Sequence, residues 1–251
     1  MNLPRVEKRE DFVSCAPGRE VGYQFLSGAF AAPPSAAQLA ELGSPEFVDK
    51  ATGLFGEASI KPLLQFAETV GSPDEVARQA RQEFMNLFQV PGAQYVAPYE
   101  SVFRDERELE GRKVSGLLLG PSALAVQQWY RLAALDISPE CRELPDHIAV
   151  ELSYLAQLCA KEQEFAGASD DTRLARCWEM ERDFLAAHVV RWVEPLCRRI
   201  REKTQHPYFA AVAELLVTFT RRDLATLEDL LGPSDGSPVP VYADRNAQAA
   251  N

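Results

Sequence analysis

Apolar residues return every three or four positions along most of the chain, and strict two-residue alternation is scarce. Those periods predict helices and leave little room for strands, so the expected fold is all-α, a single domain of about ten helices. One helix is expected behind Ser72-Pro73-Asp74-Glu75, where a hydroxyl, a proline and two acids suit the free amides of a first turn. Its apolar stripe is Val76, Ala80, Phe84, Leu87 and Phe88. Another starts near Pro121 and runs through Trp129 and Tyr130. Further on, Ile148, Leu152, Leu155 and Cys159 mark one face of a long helix, and a second follows from about Asp171 to Trp192, with a bend and a further turn or two of helix allowed at Pro195. His206-Pro207 opens a core helix over Phe209, Val212, Leu215, Leu216 and Phe219, with a short helix expected at Leu224 to Leu231. No hairpin dipeptide stands between strand-like runs.

Three stretches break the pattern. QVPGAQYVAPYESVFR, residues 89–104, crowds Tyr95, Tyr99 and Phe103 into a segment interrupted by two prolines and a glycine. DISPECREL lies in a connector near residues 135–146, rich in breakers and charge, which is a candidate hinge between a front part ending near 134 and a rear part starting near 145. The tail, 232–251, is rich in Pro, Ser, Gly and Ala and is expected to be mobile. Residues 1–30 form a poorly predicted N-terminal segment of generic helical sequence, and the helical domain is expected over 31–231.

Composition narrows the class. The 251 residues are 46% hydrophobic and 25% charged, the balance of an ordinary folded protein. The amino terminus lacks the apolar core of a secretory signal and no later run is long enough to span a bilayer, so a cytoplasmic protein without membrane insertion is expected. Five cysteines without a C-x-x-C agree with a reducing compartment. A formal charge of −11 argues against nucleic acid, because the basic clusters, such as RRIREK at 198–203, are short. The same field would speed encounter with a cationic partner such as a basic peptide.

Chemical motifs are few. The three histidines, His147, His188 and His206, are too far apart in sequence for a zinc pattern, and neither a metal nor another cofactor is expected. There is no G-x-S-x-G elbow and no phosphate-binding glycine loop. What stands out is LPDHIAVEL, residues 144–152. Pro145 and Asp146 suit the first turn of the helix that follows. His147 fits that position poorly if charged, and better as a neutral imidazole that orients a loop or a ligand by hydrogen bonding. A helical hydrolase or nucleotide-binding protein using the Asp146–His147 pair, and an acidic adaptor, are the alternatives to a peptide-binding reading.

Four blocks in order, EFMNLF (83–88), VAPYESVF (96–103), LPDHIAVEL (144–152) and FLAAHVVRW (184–192), together resemble the TorD/DmsD/NarJ family of molybdoenzyme maturation chaperones. The resemblance spans roughly residues 83–230 and says little before about Leu54. It implies an all-helical, non-catalytic protein that holds the twin-arginine signal peptide of a molybdoenzyme's catalytic subunit until the molybdopterin cofactor is inserted. Some members of that family are domain-swapped dimers, so a monomer and a swapped dimer both fit. A receptor for paired guanidinium groups beside an apolar stretch needs carboxylates next to apolar side chains. The candidate signal-peptide residues are Glu100, Asp146 and Glu151 for charge, Tyr99, Phe103, Leu87 and Phe88 for apolar contact, and Pro145 with His147 to shape the connector. Leu87, Phe88, Leu152, Phe184 and Trp192 also sit at core spacing, and His188 reads as a hydrogen-bonder between helices.

Overall fold

The computed structural model describes residues 6–109 and 111–237. Helices fill most of that span, as expected. In chain order they are α1 (Val6–Ala31), α2 (Ala36–Glu41), α3 (Pro45–Phe55), α4 (Glu57–Glu68), α5 (Pro73–Phe84), α6 (Glu100–Arg104), α7 (Pro121–Leu132), α8 (Ile148–Gly167), α9 (Asp171–Phe184), α10 (Val190–Lys203) and α11 (Pro207–Leu231). A π-helical turn, Met85–Gln89, extends α5, and another, Leu185–Val189, joins α9 to α10.

Local chemistry sets many of the starts. Ser35, Ser44 and Asp170 each accept a hydrogen bond from a first-turn amide of the helix they precede. Ser72 makes no such bond, contrary to expectation. Pro73, which has no amide to satisfy, starts α5 with Asp74 and Glu75 beside it.

The structure departs from the sequence reading in three places. The N-terminal segment is one 26-residue helix, α1, that buries Phe12, Tyr23, Leu26 and Phe30 in the core. The short helix expected at 224–231 is the last part of a continuous α11. The further helix expected past Pro195 is present: the rod beginning at Asp171 passes its π turn before Trp192 and continues to Lys203, with Pro195 inside α10. A small hairpin, β1 (Arg107–Leu109) with β2 (Arg112–Val114), has no counterpart in the sequence reading. Its three-residue strands are too short to show alternation, and the left-handed Gly111 (φ 75°) turns the chain between them. Of the tail, residues 232–237 are described, with Arg182 donating to the Gly232 carbonyl at 3.3 Å. The rest of it lies outside the described residues, as do the first five positions.

α1 packs antiparallel on α8: Arg19 meets Glu162, Glu20 accepts from Gln163, and Ser27 donates to the Ala149 carbonyl. In this interface Arg19 is buried and ties three helices together. It bonds Glu162 of α8 at 2.7 Å, Asp223 of α11 at 2.7 Å and Glu181 of α9. Tyr23 adds a hydroxyl bond to Asp223 at 2.5 Å. One guanidinium thus faces three buried carboxylates. Burial, reinforced by the charge of Glu181, pushes the Glu162 carboxyl up to about 8. Trp129, Trp178 and Trp192 fill the remaining core. Among the described residues no helix is long and apolar enough to cross a membrane.

Candidate functional site

The second and third sequence blocks meet in space. Tyr99 and His147 form an isolated antiparallel bridge, in which the Glu100 amide donates to the Asp146 carbonyl at 2.9 Å and the Ile148 amide to the Pro98 carbonyl at 3.0 Å. Asp146 Oδ2 accepts from the Ser101 amide at 2.9 Å, so this acid serves the first turn of α6. That corrects the expectation that Pro145 and Asp146 lie in the first turn of α8: His147 is the N-cap, its Nδ1 accepting from the Ala149 amide at 3.0 Å. Pro145 stands before the helix, and its carbonyl accepts from the Tyr130 hydroxyl at 2.8 Å. The far side of α6 rests on Gly116, whose amide donates to the Val102 carbonyl. A Cβ at 116 would lie 1.8 Å from the Ser101 carbonyl oxygen, so no other residue fits there without moving α6.

Three carboxylates are sealed beneath this bridge. Glu100, Asp146 and Glu151 each show no exposed surface. Glu100 is held by Arg104, one helical turn on, and by His188 Nδ1 at 2.9 Å, which ties α6 to the π turn between α9 and α10. Glu151 Oε2 accepts from Trp192 Nε1 at 3.1 Å. Asp146 Oδ1 and Glu151 Oε1 accept no hydrogen bond from the described residues. Burial raises the Asp146 carboxyl above its usual range, against the Ser101 bonds that lower it. Glu151 is driven well above its range by burial and then by the charges of Glu100 and Asp146. The site is therefore rich in acid; the Ser101 hydroxyl, which helps to lower the Asp146 carboxyl, is the remaining buried polar atom there without a close partner among the described residues.

His147 is only 3% exposed, and burial depresses its imidazole to about 4, with Glu143 pulling the other way. The ring is neutral at physiological pH, in agreement with the hydrogen-bonding reading. An unfolded histidine protonates near 6.5, so between pH 6.5 and 4 the unfolded chain takes up a proton that the folded chain refuses. The stability His147 contributes is complete above pH 6.5 and is lost as pH falls toward 4, by up to about 3 kcal/mol. His147→Asn keeps an N-cap acceptor and removes the titration. The expected result is a smaller loss of thermal stability between pH 7 and 4.5 than in the unmodified chain, and an equal loss would refute this role.

The outer surface of the site is aromatic and acidic. Tyr99 is half-buried, packs edge-on to His147, and donates its hydroxyl to Glu143 Oε2 at 2.7 Å. Glu143 is exposed and lies in the connector; nothing in its sequence context marks it out. Phe103 is half-buried, its ring tilted 38° against that of Trp192 with centroids 5.6 Å apart, and the Arg199 guanidinium lies 4.6 Å above it. Leu87 and Phe88, by contrast, are core residues: Phe88 packs against Phe30, Phe84 and Phe209. Of the nine candidates, Tyr99, Glu100, Phe103, Pro145, Asp146, His147 and Glu151 come together, and Leu87 and Phe88 stand apart. Arg104 and Trp192 also belong to the site. Arg104 could have been found from its i,i+4 spacing to Glu100.

One group of potential metal ligands lies close together among the described residues, Cys159, Glu162 and Glu181, within 4.8 Å of one another. Arg19 already ion-pairs with both glutamates. His206, like His147, caps a helix, its Nδ1 accepting from the Tyr208 amide of α11.

The fold and site define a helical protein with a buried cluster of three carboxylates, flanked by two irregular segments, 90–99 and 133–147. The family profile described as nitrate reductase delta subunit matches residues 55–198, and the chain belongs to that family, the TorD-like group. It is 22% identical over 213 residues to a chaperone protein TorD of Vibrio cholerae, covering 83% of this chain and 91% of that one. A chaperone protein TorD of Psychrobacter is 26% identical over 176 residues, covering 69% and 72%. A solved chain from Archaeoglobus fulgidus, described as a candidate redox enzyme maturation protein, shares 20% identity over 84% of this chain and 93% of its own, with a TM-score of 0.40.

Proposed function

We propose that the chain is a non-catalytic, cytoplasmic maturation chaperone for a molybdoenzyme subunit, and that the buried acidic cluster, once its cover opens, receives the arginines of that subunit's twin-arginine leader. The observation that carries this reading is the pair of buried oxygens, Asp146 Oδ1 and Glu151 Oε1, that have no donor among the described residues. A buried acceptor left unpaired costs about 1–3 kcal/mol, and a guanidinium, with five donors in a planar fork, supplies what is missing. The two covering segments are irregular, so they can part without breaking a helix. Glu143 and Tyr99 meet the leader first at the surface; Glu100, Asp146 and Glu151 then take its charge, and Phe103 with Tyr99 takes its apolar stretch. The TorD chaperones similar to this chain support the role by their name. Hydrolysis by the Asp146–His147 pair is disfavoured by geometry, because His147 Nδ1 is spent on the Ala149 amide and Asp146 Oδ2 on the Ser101 amide.

The test is calorimetric titration of the folded protein with a synthetic twin-arginine leader and with the same peptide carrying Lys-Lys. The arginine peptide should bind saturably and the lysine peptide at least about tenfold more weakly, since an ammonium cannot reproduce the fork. Equal binding, or none, would sink the reading. Tyr99→Phe should remove the hydroxyl tether to Glu143 at a cost of about 1 kcal/mol or less in stability, and cleavage within the 135–146 connector by a protease should become faster. An unchanged cleavage rate would show that the tether does not hold the cover.

A further inference from the structure

A groove of about 820 Å³ runs along α1 between α3 and α11, and none of its lining residues belongs to the site of α6 and α8. Its walls include Phe12, Pro17, Val21, Leu54, Phe219 and Leu230, and Val21 is 57% exposed. From Asp11 to Val21 it follows α1 for about 15 Å.

Two helix-interior glycines, Gly18 of α1 and Gly53 of α3, stand in these walls. Each costs its helix about 1 kcal/mol relative to alanine. Neither has a positive φ. Neither is required by packing: a Cβ at Gly53 would meet nothing within 4 Å, and one at Gly18 would make only an ordinary 3.6 Å contact with Leu54. What the two glycines preserve is open space in the groove.

The charges at its edges point to the occupant. The basic residues are committed: Arg19 to its three acids, Lys50 to Glu46, and Arg222 to the Leu54 carbonyl. At one end Asp11 and Asp229 are exposed and, among the described residues, make no ion pair. We propose that this groove is a second docking site, for an amphipathic helical segment of another polypeptide that carries a basic residue at one end. The apolar face of that helix lies on Val21, Leu54 and Phe219, and its basic residue pairs with Asp11 and Asp229. The assignment stands independently of the leader reading of the α6 and α8 site.

Two cysteines report on it. Cys15 lines the groove and is exposed, Cys141 is exposed on the connector, and Cys159, Cys177 and Cys197 are buried. The probe is a synthetic helical peptide of about 14 residues, roughly 20 Å long, with leucines at i, i+3, i+4 and i+7 and two arginines at one end. Alkylation by iodoacetamide is followed at both cysteines of the full chain by mass spectrometry. Saturating peptide should slow Cys15 about tenfold or more and leave Cys141 within about twofold, while a glutamate-ended twin should not protect. Gly53→Leu fills the open space and should abolish protection without lowering the unfolding temperature. Absent protection, equal protection by the glutamate twin, equal slowing of both cysteines, or protection that survives Gly53→Leu would each overturn the proposal. Protection of Cys15 by the twin-arginine leader would instead make the groove part of the leader site and end the claim of a separate one, whereas a leader that binds nowhere would remove the proposed function alone.

Discussion

Arg19→Met is expected to lower the unfolding temperature by roughly 10 °C, measured by circular dichroism at pH 7. The substitution removes the cation bonded to three buried carboxylates, Glu162, Glu181 and Asp223. Deleting one partner of a buried ionic cluster costs about 3–5 kcal/mol, because the acids left behind have neither water nor a counter-charge and any still ionised must take up a proton. In a chain of this size each kcal/mol moves the midpoint by about 2–4 °C. Arg19→Lys should fall in between, since an ammonium cannot bond acids on three helices in one planar arrangement. Combining Arg19→Met with Glu162→Gln and Glu181→Gln should restore part of the loss, because two of the acids that lost their partner are then neutral amides at every pH. If the combined variant is no more stable than Arg19→Met alone, the loss comes from packing along α1 and charge is not its cause.

Asp146→Asn and Glu151→Gln should each weaken the twin-arginine leader by about 10- to 100-fold, the equivalent of a charge-assisted hydrogen bond of about 1.5–3 kcal/mol. Both changes are close to isosteric. The amide oxygen that each introduces can still accept the bond its carboxylate accepts now, from the Ser101 amide in the first case and the Trp192 indole in the second. Folding should therefore be kept while the charge is removed. A second signature follows from the raised carboxyls. Guanidinium pairs with the ionised form, so binding displaces any proton that Asp146 or Glu151 retains. Affinity should accordingly increase with pH through the range where those groups titrate, and the calorimetric heat should depend on the buffer's ionisation enthalpy. A variant with unchanged affinity removes its residue from the site, and a pH-independent affinity removes the proton exchange.

The core helices were legible because their stripes are regular: Ile148, Leu152, Leu155 and Cys159 are buried where the period put them. α1 was not, because it is buried partly through polar groups such as Arg19, so its periodicity is blurred. Arg19 in particular reads as a surface residue until its partners, 143 to 204 positions away, are known. At the site, block order brought Tyr99, Asp146 and His147 to notice, but their roles depend on the bridge between two irregular segments. That bridge moved Asp146 from the start of α8 to the start of α6. Leu87 and Phe88 look the same in sequence whether they line a groove or a core, and only packing places them in the core. Glu143 stayed invisible because its partner, Tyr99, is 44 residues distant in an equally irregular stretch.

The pairing of α1 with residues so late in the chain also sets an order of events during synthesis. The helix precedes α11, and its central arginine cannot close its last contact until Asp223, 204 positions later, has been made. Contacts of such long sequence separation form late and slowly, because the intervening chain must first be brought together. A nascent chain that ends before α8 carries an α1 with no acid for its guanidinium, and one that ends before α11 still lacks Asp223. Truncations at the connector should accordingly yield no folded half, and the residues for the quality-control machinery to watch are those of the first helix.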